Sequence, residues 1–294
     1  MHLLSAIGVW AGLVDKAQPV SAIDITDTSL DATARLPVLS YGNELEDQEP
    51  AAFVIENIPL MGALKRSVLA SSAIKVLACR SIAGFAADDA GTTLTLDDGS
   101  TLRSVLLVAA DGRNSKLRAA AGIKSVGWSY DQDGIITIVD HELPHDGRAC
   151  QHFLPSGPFA ILPLPGEGAF QGGGRSCVTW SETTQRAREI MQLDDAGFLA
   201  ELERRFGTAL GKVALAAPHS SYPLALHLAR TFVASRFVLI GDAARAVHPI
   251  AGQGLNLALR DVAALAEVIT DAASLGIDIG SGAVLERYER WRRF

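Results

Sequence analysis

Two periods run through the apolar positions of this chain. Short unbroken apolar runs, 105–110 and 237–240, end abruptly at an acidic residue and a glycine, Asp111-Gly112 and Gly241-Asp242. Runs of that length bounded by turn residues predict buried strands. Behind the second run, Leu255, Leu259, Val262, Ala266 and Ile269 recur every three or four residues, the period of an amphipathic helix. Residues 237–269 therefore predict a strand, an acidic turn, a glycine loop and a helix. In an open parallel sheet, ligands bind beyond the carboxyl ends of strands. Glycines let a ligand approach the backbone closely, and a helix start offers free N–H groups at a positive dipole end. This combination suits an electron-rich cofactor.

Elsewhere, Leu3, Ile7, Trp10 and Val14 fall on one helical face, which predicts an amphipathic helix near the start. Alternation predicts a strand over 20–25, and Pro59 leads into a helix over 60–71 with Leu60, Leu64 and Val68 inward. The polar, acidic stretch 30–49, with Pro37, Gly42 and Asn43, predicts turns and a loop, and 75–77 a strand. A hairpin is expected where 92–96 faces 102–105 across Asp97-Asp98-Gly99-Ser100. Strands over 135–139, 151–154, 159–162 and 176–180, parted by Pro- and Gly-rich breaks, predict one mostly antiparallel sheet. A helix over 194–206 follows, and the chain returns through Tyr222-Pro223-Leu224.

Composition narrows the class of protein. The 294 residues leave room for two lobes with a sizeable core. The chain is 48% hydrophobic with a mean hydropathy of +0.21, yet no apolar run reaches the roughly 18 residues of a membrane span. The first apolar stretch, 3–14, lacks the basic start and cleavage site of a signal peptide. A net charge of −7 argues against nucleic-acid partners. Cys79, Cys150 and Cys177 are odd in number and far apart, which suits a reducing, cytoplasmic compartment. His141 and His145 have helical ligand spacing, but Pro144 opposes a helix there, and no metal site is expected. No Gly-x-Ser-x-Gly elbow supports a hydrolase. The arginines over 287–293 alternate with Glu286 and Glu289 and predict a solvated helix face.

The segment from His248 to Asp261 resembles the flavin motif of the FAD-dependent aromatic hydroxylases, the class A flavin monooxygenases, and most closely their ubiquinone-biosynthesis branch. That branch reads His-Pro-x-Ala/Gly-Gly-Gln-Gly-x-Asn-x-Gly-x-x-Asp, and the one departure is Ala258 in place of Gly. The methyl group is a mild change on a helix. A second motif, Asp-Gly-x-x-Ser-x-x-Arg, is matched by Asp111, Gly112, Ser115 and Arg118. Taken alone it reads as a helix capped by Ser115 and ended by Gly122. Both motifs in family order point to the cofactor site.

The resemblance implies an α/β fold: an FAD-binding domain (glutathione-reductase-like, p-hydroxybenzoate-hydroxylase-type) interleaved with a mostly antiparallel β-sheet substrate domain. It places the FAD lobe at 60–125 and 226–275, the substrate lobe at 19–57 and 126–225, and a C-terminal helical region from 276 to 294. The family's initial strand, Gly-x-Gly-x-x-Gly turn and helix have no match here, so the N-terminal βαβ unit is expected to be absent and the chain to be a fragment of a longer enzyme. FAD would be the cofactor and NAD(P)H the electron donor. Cofactor-binding positions carried over are Asp111, Gly112, Arg118, Gly241, Asp242, Pro249, Gly252, Gln253, Gly254 and Asn256. Asp242 would accept a ribityl hydrogen bond, the glycine loop would offer N–H groups to the flavin pyrimidine, and Pro249 would line the ring. No acid–base residue is assigned. His248 is read as fixing the loop start.

The implied activity is hydroxylation of a polyprenylated phenol by O2 in ubiquinone biosynthesis. The implied place is the cytoplasm, peripheral to the inner face of the membrane, with a complex of pathway proteins as a further partner. Two other readings stay open: a flavin hydroxylase of a soluble aromatic compound, and a degenerate remnant that binds no flavin. Phe153, Phe159, Ile161 and Leu164 suit either a prenyl pocket or sheet core, with core the better reading.

Overall fold

A computed structural model describes residues 1–30, 35–43, 49–77 and 81–293. Contacts divide the chain into two units, Met1–Ile74 with Asp131–Leu224, and Lys75–Tyr130 with Ala225–Phe294. The strands Ser125–His141 and Ser220–Ala229 carry the chain across these boundaries. Residues 60–74 fall in the first unit and 276–293 in the second.

The first unit is built on a sheet whose strands run in the order Ser125–His141, Gly174–Thr183, Gly157–Leu164, Arg148–Leu154, Ala22–Asp27 and Leu39–Gly42. Every pairing is antiparallel except Arg148–Leu154 with Ala22–Asp27, which is parallel. Side chains alternate between the two faces of a strand. On one face Ile135, Val139, Phe159, Val178 and Trp180 pack against Phe198, Leu202 and Phe206 of the helix Asp195–Phe206. Each of these large buried side chains contributes roughly 1.5–3 kcal/mol. Asp194 caps that helix through the Gly197 N–H at 2.8 Å, and Gly207, at φ +80°, ends it. Ile136, Ile138, Leu162, Cys177 and Thr179 alternate with the helix-packed positions and stay half-buried. Phe159, Ile161 and Leu164 are core, whereas Phe153 is exposed.

His152 lies in this sheet, buried and hydrogen-bonded through Nδ1 to Thr26 Oγ1 at 2.7 Å. Burial, helped by the Arg35 cation, pushes its pKa down to about 4. The unfolded chain takes up this proton near pH 6.5, and the folded chain refuses it until about pH 4. The stability this group contributes is therefore whole above pH 6.5 and falls away as the pH drops towards 4, by at most about 3 kcal/mol. Urea unfolding at pH 7.5 and 4.5 is expected to show that loss, and His152→Gln to flatten the slope; an equal slope in the variant would refute it.

In the second unit, Phe237–Leu239 lies antiparallel to Val233–Ala234 and parallel to Leu107–Ala109. A separate three-stranded sheet holds Ile82–Ala87, Thr92–Leu96 and Thr101–Ser104. Leu94 opposes Leu102 in the expected hairpin. The helices Gln253–Ser274 and Gly282–Arg292 bury Ala264, Leu265, Val268 and Tyr288 in one core with Phe237, Val238 and Leu239.

Several expectations change. The period through Leu3, Ile7, Trp10 and Val14 does not give one helix: only His2–Ala6 is α-helical, and two 3-10 turns follow. Gly8, at φ +71°, breaks the run, so Leu4, Val9 and Leu13 are buried while Ile7 and Val14 are exposed. The stretch 30–49 contains the strand Leu39–Gly42, whose Leu39 opposes Ile25; 31–34 and 44–48 lie outside the described residues. Residues 75–77 form no strand. The second helix begins earlier, at Asn57, with Pro59 in its first turn, where a missing N–H costs nothing. Cys150 and Cys177 are free thiols raised by burial to about 11, and Cys79 lies outside the described residues.

Candidate functional site

The parallel register of the second unit brings both acidic turns to one end of its sheet. Leu107 pairs with Phe237, Val108 with Val238 and Ala109 with Leu239, and the Ile240 N–H donates to the Ala109 carbonyl at 3.1 Å. Asp111 and Asp242 thus both follow the carboxyl ends of adjacent strands, the edge where such sheets bind ligands.

Asp111 and Ser115 start the helix Lys116–Ala120. The Leu117 N–H donates to Asp111 Oδ2 at 3.2 Å, and the Arg118 N–H donates to Ser115 Oγ at 2.9 Å. The capping reading of Ser115 is therefore correct as far as it goes. Gly112, half-buried at φ +81°, makes the turn, and its carbonyl accepts the Ser115 N–H at 3.0 Å. Arg118 is buried, and its guanidinium donates to the Ala243 carbonyl at 2.8 Å and the Arg113 carbonyl at 3.0 Å. It ties the two motifs together. Burial lowers its pKa, and the Asp111 carboxylate opposes that shift.

Gly241 sits at φ +58°, and a Cβ built there would lie 3.3 Å from the Ala258 methyl. The branch's glycine at 258 would relieve that approach, so the substitution tightens a spot that already demands glycine at 241. Asp242 follows, exposed. Pro249 is half-buried, and its carbonyl accepts the Gly252 N–H at 3.1 Å. Gly252, at φ +60°, opens the 22-residue helix Gln253–Ser274, and no side chain caps it. A helix start of this kind presents N–H groups at a positive dipole end. Gly252, Gln253 and Asn256 are exposed and Gly254 half-buried; Asn256 Nδ2 reaches the Gly252 carbonyl at 3.4 Å.

Two imidazoles stand beside this loop with buried nitrogens that have no hydrogen-bond partner, His248 Nδ1 and His227 Nε2. Tyr130 packs edge-on against His248 with ring centres 5.2 Å apart. Burial lowers both pKa values, and for His227 the Arg118 and Arg113 cations add to it. An unpaired buried polar atom costs roughly 1–3 kcal/mol, so such atoms mark places where a partner belongs.

Sequence reasoning passed over the support beneath the site. Asp261 is fully buried: its Oδ2 accepts the Gly241 N–H at 3.0 Å, and its Oδ1 accepts Arg292 Nε at 2.8 Å together with Arg245 Nη2. The Tyr288 hydroxyl donates to the Leu239 carbonyl at 2.9 Å. Arg292 is thus not part of a solvated face, because its side chain is only 12% exposed. Asp261 closes the quoted motif, which was the available signal; nothing local pointed to Arg292, thirty-one residues on.

The residues present suit a flavin: exposed Asp242, the buried unpartnered Nδ1 of His248 and an uncapped helix start follow one another along one loop. Comparison with known proteins agrees. The model of the FAD binding domain family matches residues 1–293. The chain is 40% identical over 292 residues to ubiquinone hydroxylase UbiL of Rhodospirillum rubrum, covering 99% of this chain and 65% of that protein. It is 31% identical to the mitochondrial ubiquinone biosynthesis monooxygenase COQ6 of Rattus norvegicus, covering 99% and 67%. The crystal structure of Pseudomonas aeruginosa PqsL in complex with 2-aminobenzoylacetate superposes with a TM-score of 0.77 at 19% identity, covering 99% of this chain and 78% of that one, a likeness of fold. The chain spans about two thirds of the length of these curated relatives. It belongs to the FAD binding domain family and, within it, to the ubiquinone-hydroxylase branch.

Proposed function

We propose that the chain supplies flavin- and substrate-binding lobes to an FAD-dependent monooxygenase that hydroxylates the ring of a polyprenylated phenol in ubiquinone biosynthesis. The observation that carries this reading is the parallel register setting Asp111 and Asp242 side by side, next to a long helix with an uncapped start. Bound FAD supplies the redox chemistry: NAD(P)H delivers two electrons, one atom of O2 enters the ring, and the other leaves as water. Asp242 accepts a hydrogen bond from the ribityl chain. Gly252, Gln253, Gly254 and Asn256 present backbone N–H groups where reduction builds negative charge on the pyrimidine end. Pro249 lines the ring. Asp111, Gly112 and Arg118 shape the phosphate side, with Arg118 acting through the backbone it clamps. Residues 60–125 and 226–275 form the flavin lobe, 19–57 and 126–225 the substrate lobe, and 276–294 begin a helical region. The half-buried, mostly apolar face through Ile136, Ile138 and Leu162 suits a flat aromatic ring.

No helix among the described residues is long and apolar enough to cross a membrane. A prenylated substrate resides in the bilayer, so the enzyme works peripherally at the inner face, within reach of other pathway proteins. The test compares the visible spectrum of this chain with that of a version extended upstream by a strand, a Gly-x-Gly-x-x-Gly turn and a helix. Flavin in the extended version, with NAD(P)H oxidation stimulated by a prenylated phenol, is the expected result. Turnover of only an unprenylated phenol would favour a soluble substrate, and flavin in neither protein would favour a remnant of the fold.

A further inference from the structure

The helix Gly282–Arg292 bonds at three points to the elements around Asp242. The Tyr288 hydroxyl donates to the Leu239 carbonyl, Arg292 Nε donates to Asp261, and the Arg292 carbonyl accepts Arg245 Nη1 at 2.6 Å. Between them Asp261 is wholly buried, and one of its oxygens serves the arginines while the other receives the Gly241 N–H. Two guanidinium groups on one oxygen and the glycine N–H on the other together fix the carboxylate's orientation. Gly241 is in turn at φ +58°, a left-handed conformation that glycine adopts without a Cβ penalty, and the residue it presents is Asp242.

We propose that Arg292 is a positioning residue for flavin binding: it orients the Asp261 carboxylate that fixes the Gly241 turn, and so sets where Asp242 meets the cofactor. The inference rests on the flavin reading above. It also explains why a residue thirty-one positions beyond Asp261 carries a nearly buried guanidinium. Removing Arg292 does not strand the carboxylate, because Arg245 remains bonded to Asp261. The fold survives the change while the turn loosens, which separates this role from bulk stability.

The experiment measures FAD affinity of the flavin-loaded protein carrying this chain, by quenching of flavin fluorescence, together with kcat at saturating FAD and the unfolding midpoint. Arg292→Ala is expected to weaken FAD binding about tenfold, the scale of one charge-assisted hydrogen bond, with kcat at saturating FAD little changed. Arg292→Lys restores part of the affinity. Two controls sit on the same helix. Arg287→Ala removes an exposed ion pair with Asp271, and Val284→Ala removes core packing without touching Asp261. Both are expected to leave FAD affinity within twofold, the second even with a lowered midpoint. If Val284→Ala weakens FAD as much as Arg292→Ala at the same midpoint, or if Arg292→Ala leaves affinity unchanged, the inference falls. A wild-type protein that takes up no FAD overturns the flavin reading instead.

Discussion

Replacing Asp261 by alanine is expected to cost about 3–5 kcal/mol of folding stability, the scale for stranding buried charge. The carboxylate is fully buried and faces two guanidinium groups that are themselves only 10% and 12% exposed. Taking it away leaves both cations, and the Gly241 N–H, without the partner that offsets their desolvation. Arginine cannot escape by losing its proton. Asp261→Asn keeps an oxygen for Gly241 but turns an amide toward both cations, so its loss falls between wild type and alanine. Urea unfolding followed by far-ultraviolet circular dichroism measures both. A loss under about 1 kcal/mol for the alanine variant would mean that the arginines are solvated in solution and that the carboxylate is not their anchor.

What was legible in the chain follows from how far each determinant reaches. The strands Leu107–Ala109 and Phe237–Leu239 and the helix Gln253–Ser274 declare themselves within ten or twenty residues, through an apolar run, a glycine pair or a 3.6-residue period. The hairpin around Gly99 is equally local, because its turn residues and flanking alternation agree. Strand Ile82–Ala87 was invisible because Ile-Ala-Gly-Phe-Ala-Ala carries little β-branching, and only its pairing with Thr92–Leu96 makes it a strand. The helix expected over the first fourteen residues failed at one glycine, where backbone freedom overrode a periodic pattern. The glycine loop was legible as a long motif. Its support was legible only in part: Asp261 closes that motif, but Arg292 reads as one more surface arginine until the fold brings the two to 2.8 Å. Arg118 shows the converse. It was legible as a motif residue, yet its guanidinium bonds the protein's own backbone, which a motif cannot reveal.

A second large effect is expected in the first unit, at the pair Glu182 and Arg205. Each side chain is only 4% exposed, and they meet at 2.9 Å. Arg205 also bonds Glu201 at 2.8 Å and lies over the Trp180 ring, 4.2 Å from its centre, while its Nε has no partner. The Trp180 indole N–H donates to Glu182 at 3.3 Å. Glu182→Ala is expected to destabilise this unit by about 3–5 kcal/mol, since Glu201 alone must then balance a buried cation. The pair itself is not an efficient source of stability, because desolvating both ions offsets most of their attraction. Glu182→Leu combined with Arg205→Met is therefore expected to recover most of the loss, with apolar side chains filling the same volume against Trp180 and Phe198. Unfolding followed by tryptophan fluorescence distinguishes the cases. If the double variant is as unstable as Glu182→Ala, the charges hold the helix Asp195–Phe206 on the sheet through geometry that packing cannot replace. If it recovers, apolar packing alone is enough to hold that helix on the sheet.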